Sequence, residues 1–261
     1  KLNIMELKST QKPILIAGSC SIEGRIQAHT ISNKCKELAD KYGFDYYFKG
    51  SFDKANRTSV NSKRGIGIDK AIDIFAELKE LDGCKITTDI HEPWQADKLA
   101  DVVDIIQIPA YLCRQTDLLV AAGNTFQTVN IKKGQFVDGR SMIHAINKVK
   151  STGNNTIMVT ERGSMFGMGD LVVDPRQIVD MKELGVPVIL DCTHSTQRPN
   201  SGGTTDGQPK YTLPIAKVGK ALGVDGYFFE VHENPSAAWS DGSNMVQLNK
   251  FENILNEIQN K

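Results

Sequence analysis

Pro13-Ile14-Leu15-Ile16-Ala17-Gly18-Ser19-Cys20 is a short apolar run that stops at Gly-Ser, and Asp45-Tyr46-Tyr47-Phe48-Lys49 is a second. Runs of this length, rich in Ile, Phe and Tyr, read as β-strands. Between them Gln27–Tyr42 is amphipathic and closes on Gly43, the residue type that ends helices in the left-handed conformation. The result is a strand–helix–strand unit, and the same alternation continues along the chain. Strands are expected at Pro13–Gly18, Asp45–Lys49, Lys85–Ile90, Ile105–Pro109, Thr128–Lys133, Ile157–Arg162, Pro187–His194 and Gly226–His232. Helices are expected at Asp69–Leu81, Trp94–Val103, Thr116–Ala122, Ser141–Lys150, Asp174–Leu184, Pro214–Leu222 and Asn244–Ile258, several closing on glycine (Gly83, Gly123, Gly185, Gly223). Eight such units in 261 residues match the count of a (β/α)8 TIM barrel. A doubly wound sheet is the alternative, because strand order is not written in the sequence. No linker or low-complexity stretch interrupts the pattern, so residues 1–261 are expected to form a single barrel domain.

Composition narrows the partners. With 31 Lys+Arg against 31 Asp+Glu the formal net charge is +0, which argues against a nucleic-acid-binding coat or tail. The 40% hydrophobic and 24% charged content is that of a globular chain rather than a disordered one. No apolar run approaches the roughly 20 residues of a membrane span, and Lys1–Pro13 lacks a signal-peptide apolar region. Cys20, Cys35, Cys84, Cys113 and Cys192 are odd in number and scattered, so a reducing cytoplasm is the expected setting.

Three long polar loops, Ser51–Gly65, Ser195–Pro209 and Glu233–Ser243, follow strands, where barrel enzymes place their chemistry. Side chains alternate along a strand, so an inward set can be proposed for each. These sets are Ile14, Ile16 and Cys20; Lys49; Thr87, Asp89 and His91; Gln107; Asn130 and Lys132; Thr160 and Arg162; Val188, Leu190, Cys192 and His194; Phe228, Glu230 and His232. Every strand thus delivers a polar or reactive group at its C-terminal end, an arrangement too costly for packing alone. Lys49, Lys54, Lys132 and Arg162 place four cations at one mouth, suited to a small multiply charged anion. Asn56, Arg57, Thr58 and Ser59 add donors that could hold a second phosphate, although taken alone the run reads more readily as a solvated turn. Cys20, His194, Glu230 and Asp241 offer a thiolate, an imidazole and two carboxylates, a donor set for a divalent transition metal. Taken alone, Cys20 reads more readily as a small buried residue than as a ligand, and His194 as a proton donor or a core histidine.

Several segments resemble the 3-deoxy-D-manno-octulosonate 8-phosphate synthase family. They are Lys49-Gly50-Ser51-Phe52-Asp53-Lys54-Ala55-Asn56-Arg57-Thr58-Ser59, Thr87-Thr88-Asp89-Ile90-His91-Glu92, and Gln107-Ile108-Pro109-Ala110-Tyr111-Leu112-Cys113-Arg114-Gln115-Thr116-Asp117. Asn130-Ile131-Lys132-Lys133-Gly134-Gln135-Phe136, Thr160-Glu161-Arg162-Gly163 and Asp191-Cys192-Thr193-His194-Ser195 continue the match. The resemblance runs in order from about Pro13 to the last helix. It implies a homotetrameric barrel that condenses phosphoenolpyruvate with arabinose 5-phosphate and releases phosphate. Carbon 3 of the enol would attack the sugar aldehyde, with water adding at carbon 2. It further implies that Lys49, Lys54, Gln107, Ala110, Lys132 and Arg162 hold phosphoenolpyruvate. Asn56, Arg57, Thr58 and Asp89 would hold the pentose phosphate, partly across a subunit interface. Lys54, Lys132, His194 and Asp241 would act in catalysis.

The same family has metal-dependent members with Cys at the position of Cys20 and metal-independent ones with Asn there. Cys20 therefore implies one divalent metal ion, such as Zn, Fe or Mn, held by Cys20, His194, Glu230 and Asp241, and no organic cofactor. Thr58 stands where the family usually has Ser, and Ser19 where Pro is common; neither change removes a functional group. Two rivals remain. The related synthase that uses erythrose 4-phosphate has a Lys-Pro-Arg-Thr-Ser loop, where this chain has Ala55-Asn56 in place of the proline. A non-catalytic barrel that senses phosphorylated metabolites is the other, against which Lys132, Arg162 and His194 argue.

Overall fold

A computed structural model describes residues 12–57, 59–166, 169–198 and 206–259. Eight parallel strands form the barrel wall: β1 Ile14–Gly18, β2 Asp45–Lys49, β3 Lys85–Asp89 and β4 Ile105–Ile108, then β5 Thr128–Lys132, β6 Ile157–Glu161, β7 Val188–Asp191 and β8 Gly226–His232. They pair in chain order, and β1 also pairs with β8, Ile14 standing opposite both Asp45 and Gly226. That second pairing closes the sheet and settles strand order in favour of the (β/α)8 barrel. Helices α1 Arg25–Tyr42, α2 Ile68–Leu81, α3 Trp94–Leu99 and α4 Thr116–Asn124 form one half of the outer layer. The other half is α5 Met142–Lys150, α6 Pro175–Lys182, α7 Thr212–Leu222 and α8 Phe251–Gln259. No described helix is long and apolar enough to cross a membrane.

Alternation along the strands creates two apolar layers. Ile16, Ile105, Met158, Ile189 and Phe228 fill the barrel axis, while a larger core lies between strands and helices. The expected inward faces are realised on seven strands and reversed on β7. There Val188, Leu190 and Cys192 pack towards the helices, and Ile189 and Asp191 point into the barrel. A strand buried on both faces is apolar throughout and carries no period-two signal, so parity could not be read from it. His194 still reaches the mouth, because the chain leaves the sheet after Asp191 and turns through a 3₁₀ segment at His194–Thr196.

Gly43, Gly83, Gly185 and Gly223 take the left-handed conformation expected of helix closers. Gly123 does not; it lies inside α4, and Phe126 adopts positive φ instead. Its role is close approach, since a Cβ there would lie 2.7 Å from the Thr152 hydroxyl just beyond α5. The last helix starts at Phe251 rather than Asn244, because Val246 and Gln247 pair with Val231 and His232 as a short added strand. A fourth long loop follows β6 and contains a small hairpin, Ser164–Met165 against Leu171–Val172.

Candidate active site

A cavity of about 1020 Å³ opens at the C-terminal end of the strands. On one side, Lys49 at the end of β2 donates to Ser51 Oγ at 2.7 Å and lies 3.0 Å from Asp89 Oδ1 at the end of β3. Lys54 donates to the same Ser51 oxygen at 2.9 Å, and the Ser51 hydroxyl donates to Asp89. All four side chains are buried. Burial would raise the Asp89 carboxyl, yet Lys49, the His91 hydrogen bond and Lys54 hold it well below the usual carboxylate range. Burial likewise acts to lower Lys54, and the surrounding Cys20, Asp89, Glu230 and Asp241 outweigh it and raise the ammonium.

Across the mouth, Lys132 at the end of β5 donates to Asp191 and sits 3.4 Å above the centre of the Phe228 ring. Arg162, just past β6, donates to Gln197 Oε1 at 2.8 Å. Burial lowers both Lys132 and Arg162, outweighing the Asp191 charge that acts to raise each. Asp191 also accepts from His194 Nδ1 at 2.7 Å, and His194 Nε2 faces Glu230 Oε1 at 3.3 Å. Burial would lower His194, but Asp191 and Glu230 together raise it. Asp191 is in turn held far below its ordinary value, because His194 and Lys132 overcome its burial.

Arg162 Nη1, Gln107 Oε1 and Glu230 Oε2 are buried without a hydrogen-bond partner, and all three residues line the cavity. Each such atom costs about 1–3 kcal/mol unless something pairs with it. Three of them around one cavity describe a surface completed by a charged, hydrogen-bonding ligand.

The loop after β8 forms the third wall. Asp241 holds a left-handed backbone with φ 51°, a conformation rare outside glycine. That conformation sets Ser240 and Asp241 together, each 3.1 Å from Cys20 Sγ. Arg57 reaches over from the loop after β2, donating to Ser240 Oγ at 2.6 Å and to Asp241 Oδ2 at 3.4 Å. One ligand atom from each of Cys20, Glu230 and Asp241 lies within 4.8 Å of the others. His194 adjoins this trio through Glu230. Burial and the Glu230 charge raise the Cys20 thiol, whereas Arg57 and Lys54 overcome burial to lower the Asp241 carboxyl.

Lys49, Lys54, Asn56, Arg57, Asp89, Gln107, Ala110, Lys132, Arg162, His194, Glu230 and Asp241 all line this one cavity. Cys20 does not line it but bonds to Ser240 and Asp241, which do. Thr58 lies outside the described residues. Reading of the sequence missed Asp191, Ser51, Gln197 and Ser240 as parts of the site. Asp191 carried a signal, being the one charged residue that closes an otherwise apolar strand.

The sequence profile described as the DAHP synthetase I family matches residues 6–261. A 2-dehydro-3-deoxyphosphooctonate aldolase of Fusobacterium nucleatum subsp. nucleatum is 46% identical over 243 residues, covering 93% of this chain and 87% of the relative. Proteins of the same name from a Chelativorans species and from Brucella anthropi are each 46% identical over 245 residues, covering 94% of this chain and 89% and 88% of those relatives. With its barrel, its cationic mouth and these relatives, the chain belongs to the DAHP synthetase I family, alongside members named 2-dehydro-3-deoxyphosphooctonate aldolase.

Proposed function

We propose that the protein condenses phosphoenolpyruvate with D-arabinose 5-phosphate and water, giving 3-deoxy-D-manno-octulosonate 8-phosphate and phosphate, a step toward the inner-core sugar of lipopolysaccharide. The observation that carries this reading is the gathering of Lys49, Lys54, Lys132, Arg162 and Arg57 around one cavity, enough charge for two phosphorylated substrates. Lys49, Lys54, Lys132 and Arg162, with Gln107 and Ala110, hold phosphoenolpyruvate, which pairs the free Arg162 Nη1. Asn56, Arg57, Thr58 and Asp89 hold the pentose phosphate. Bringing the two substrates together in fixed orientation supplies much of the acceleration, and the preset ammonium and guanidinium groups stabilise charge as it develops. His194, held between Asp191 and Glu230, is placed to keep or pass a proton at Nε2.

Cys20, Glu230 and Asp241, with His194 beside Glu230, fit a divalent metal ion by donor chemistry, and the partnerless Glu230 Oε2 offers it an acceptor. When bound, the ion would supply Lewis-acid chemistry that orients or polarises the sugar aldehyde. Exhaustive chelation should then abolish turnover and added divalent metal should restore it, and Cys20→Asn should retain more activity than Cys20→Ala. Full activity after chelation would remove the metal from this reading. A homotetramer in the cytoplasm completes the proposal, supported by the family resemblance and by five free thiols, all buried.

Phosphate release measured with phosphoenolpyruvate and each aldose in turn tests the reaction. Preference for arabinose 5-phosphate is expected, with Asn56 reading the longer sugar. Preference for erythrose 4-phosphate, or no release with either, would overturn the assignment.

A further inference from the structure

Behind the two cations Lys132 and Arg162 lies a buried ion pair that does not line the candidate active site. Lys133 and Glu161 are each 0% exposed, and Lys133 Nζ stands 3.5 Å from Glu161 Oε2. Each is the chain neighbour of a mouth residue, Lys133 of Lys132 and Glu161 of Arg162, and points to the opposite side of the wall. Lys133 Nζ also donates to Val137 O at 3.1 Å, to Ser164 Oγ at 3.0 Å and to Gly134 O at 3.3 Å. Glu161 Oε1 accepts the Gly163 N–H at 2.6 Å. The pair therefore ties the start of the loop after β5 to the start of the hairpin after β6. A buried ion pair is weak as a source of stability, because desolvation offsets its attraction, and apolar replacements of both partners are often neutral or stabilising. Burial indeed lowers Lys133 and raises Glu161, so both charges are held at a cost.

We infer that Lys133 and Glu161 are positioning residues that fix the ends of β5 and β6, and with them the spacing of Lys132 and Arg162 for the anionic groups of phosphoenolpyruvate. The inference rests on the proposed reaction and concerns how one of its substrates is held. Lys133 sets its ammonium against three acceptors drawn from two loops, which determines where both chains leave the sheet. Shifting either exit by about an ångström is enough to cost around 100-fold in a reaction of preorganised groups.

The test is steady-state kinetics of the full-length protein, with both substrates varied, on the double variant K133M/E161M and on E161Q. The double variant removes both charges at once and leaves no unpaired ion, but it also strips the Gly163 N–H and the three Lys133 acceptors of their partner, so it should fold with a moderately lowered melting temperature. Its phosphoenolpyruvate KM should rise roughly 10-fold to 100-fold, with the arabinose 5-phosphate KM within about twofold. E161Q retains acceptors for the Gly163 N–H and for Lys133, so its phosphoenolpyruvate KM should stay closer to the parent's than that of the double variant, while its melting temperature falls because Lys133 loses its counter-ion. Equal change in both KM values, unchanged kinetics, or a double variant that does not fold would each overturn the inference by making the pair structural. If the parent protein itself releases no phosphate, the proposed reaction fails, an outcome distinct from these.

Discussion

Asp191 carries more of the site than any residue of its size. It accepts from Lys132 and orients His194, so one buried carboxylate holds a group from the end of β5 and one from the loop after β7. Asp191→Asn keeps the shape but removes the charge that both partners need. We expect kcat to fall on the order of 100-fold, and stability to drop by about 3–5 kcal/mol because Lys132 is left buried without its counter-ion. Steady-state kinetics and urea titration of the same preparation measure the two effects. Asp89 makes a separate prediction about pH. Its folded carboxyl lies well below the ordinary value, chiefly because Lys49 overrides burial. Its stabilising effect is therefore complete above the unfolded value of about 3.9 and is lost as pH falls through the lower folded value. Urea titrations of wild type and Asp89→Asn should converge across that acidic range and diverge at neutral pH. The inward cations and Asp89 were legible because they sit on strands whose faces alternate. Asp191 and Ser240 were missed, the first because the apolar Val188–Leu190 before it hides which face of β7 turns inward, the second because a left-handed turn at Asp241 aims it.

The strand–helix alternation was plain along the chain, and the bounds that went astray did so where tertiary contacts overrule local pattern. Val246-Gln247 joins the end of β8 instead of opening α8. Gly123 reads as a helix closer, yet it is a packing residue in α4, spaced by Thr152 at the start of the next loop. The Cβ of Gly123→Ala would sit 2.7 Å from Thr152 Oγ1 and 3.2 Å from the Val149 carbonyl oxygen. Overpacking of this kind costs about 1–3 kcal/mol, more than the helix propensity gained from alanine. Differential scanning calorimetry should show a lowered melting temperature, partly recovered in Gly123→Ala/Thr152→Ala.

At the scale of the barrel, a net charge of zero proved uninformative about the mouth, where Lys49, Lys54, Lys132 and Arg162 are gathered with Asp89, Asp191, Glu230 and Asp241 set among them. Strand order was equally hidden, since β1 meets β8 only through contacts across nearly the full chain. That seam has a consequence in time. Cys20 is separated from Ser240 and Asp241 by 220 and 221 residues, so during synthesis its thiol emerges from the ribosome long before either partner exists. Until the barrel closes it is an unprotected nucleophile. Alkylation of ribosome-arrested chains ending before β8, mapped by mass spectrometry, should label Cys20, and the finished protein should resist the same reagent. The growing chain therefore depends on the reducing power of its surroundings during elongation, at the one cysteine whose loss would reach the site.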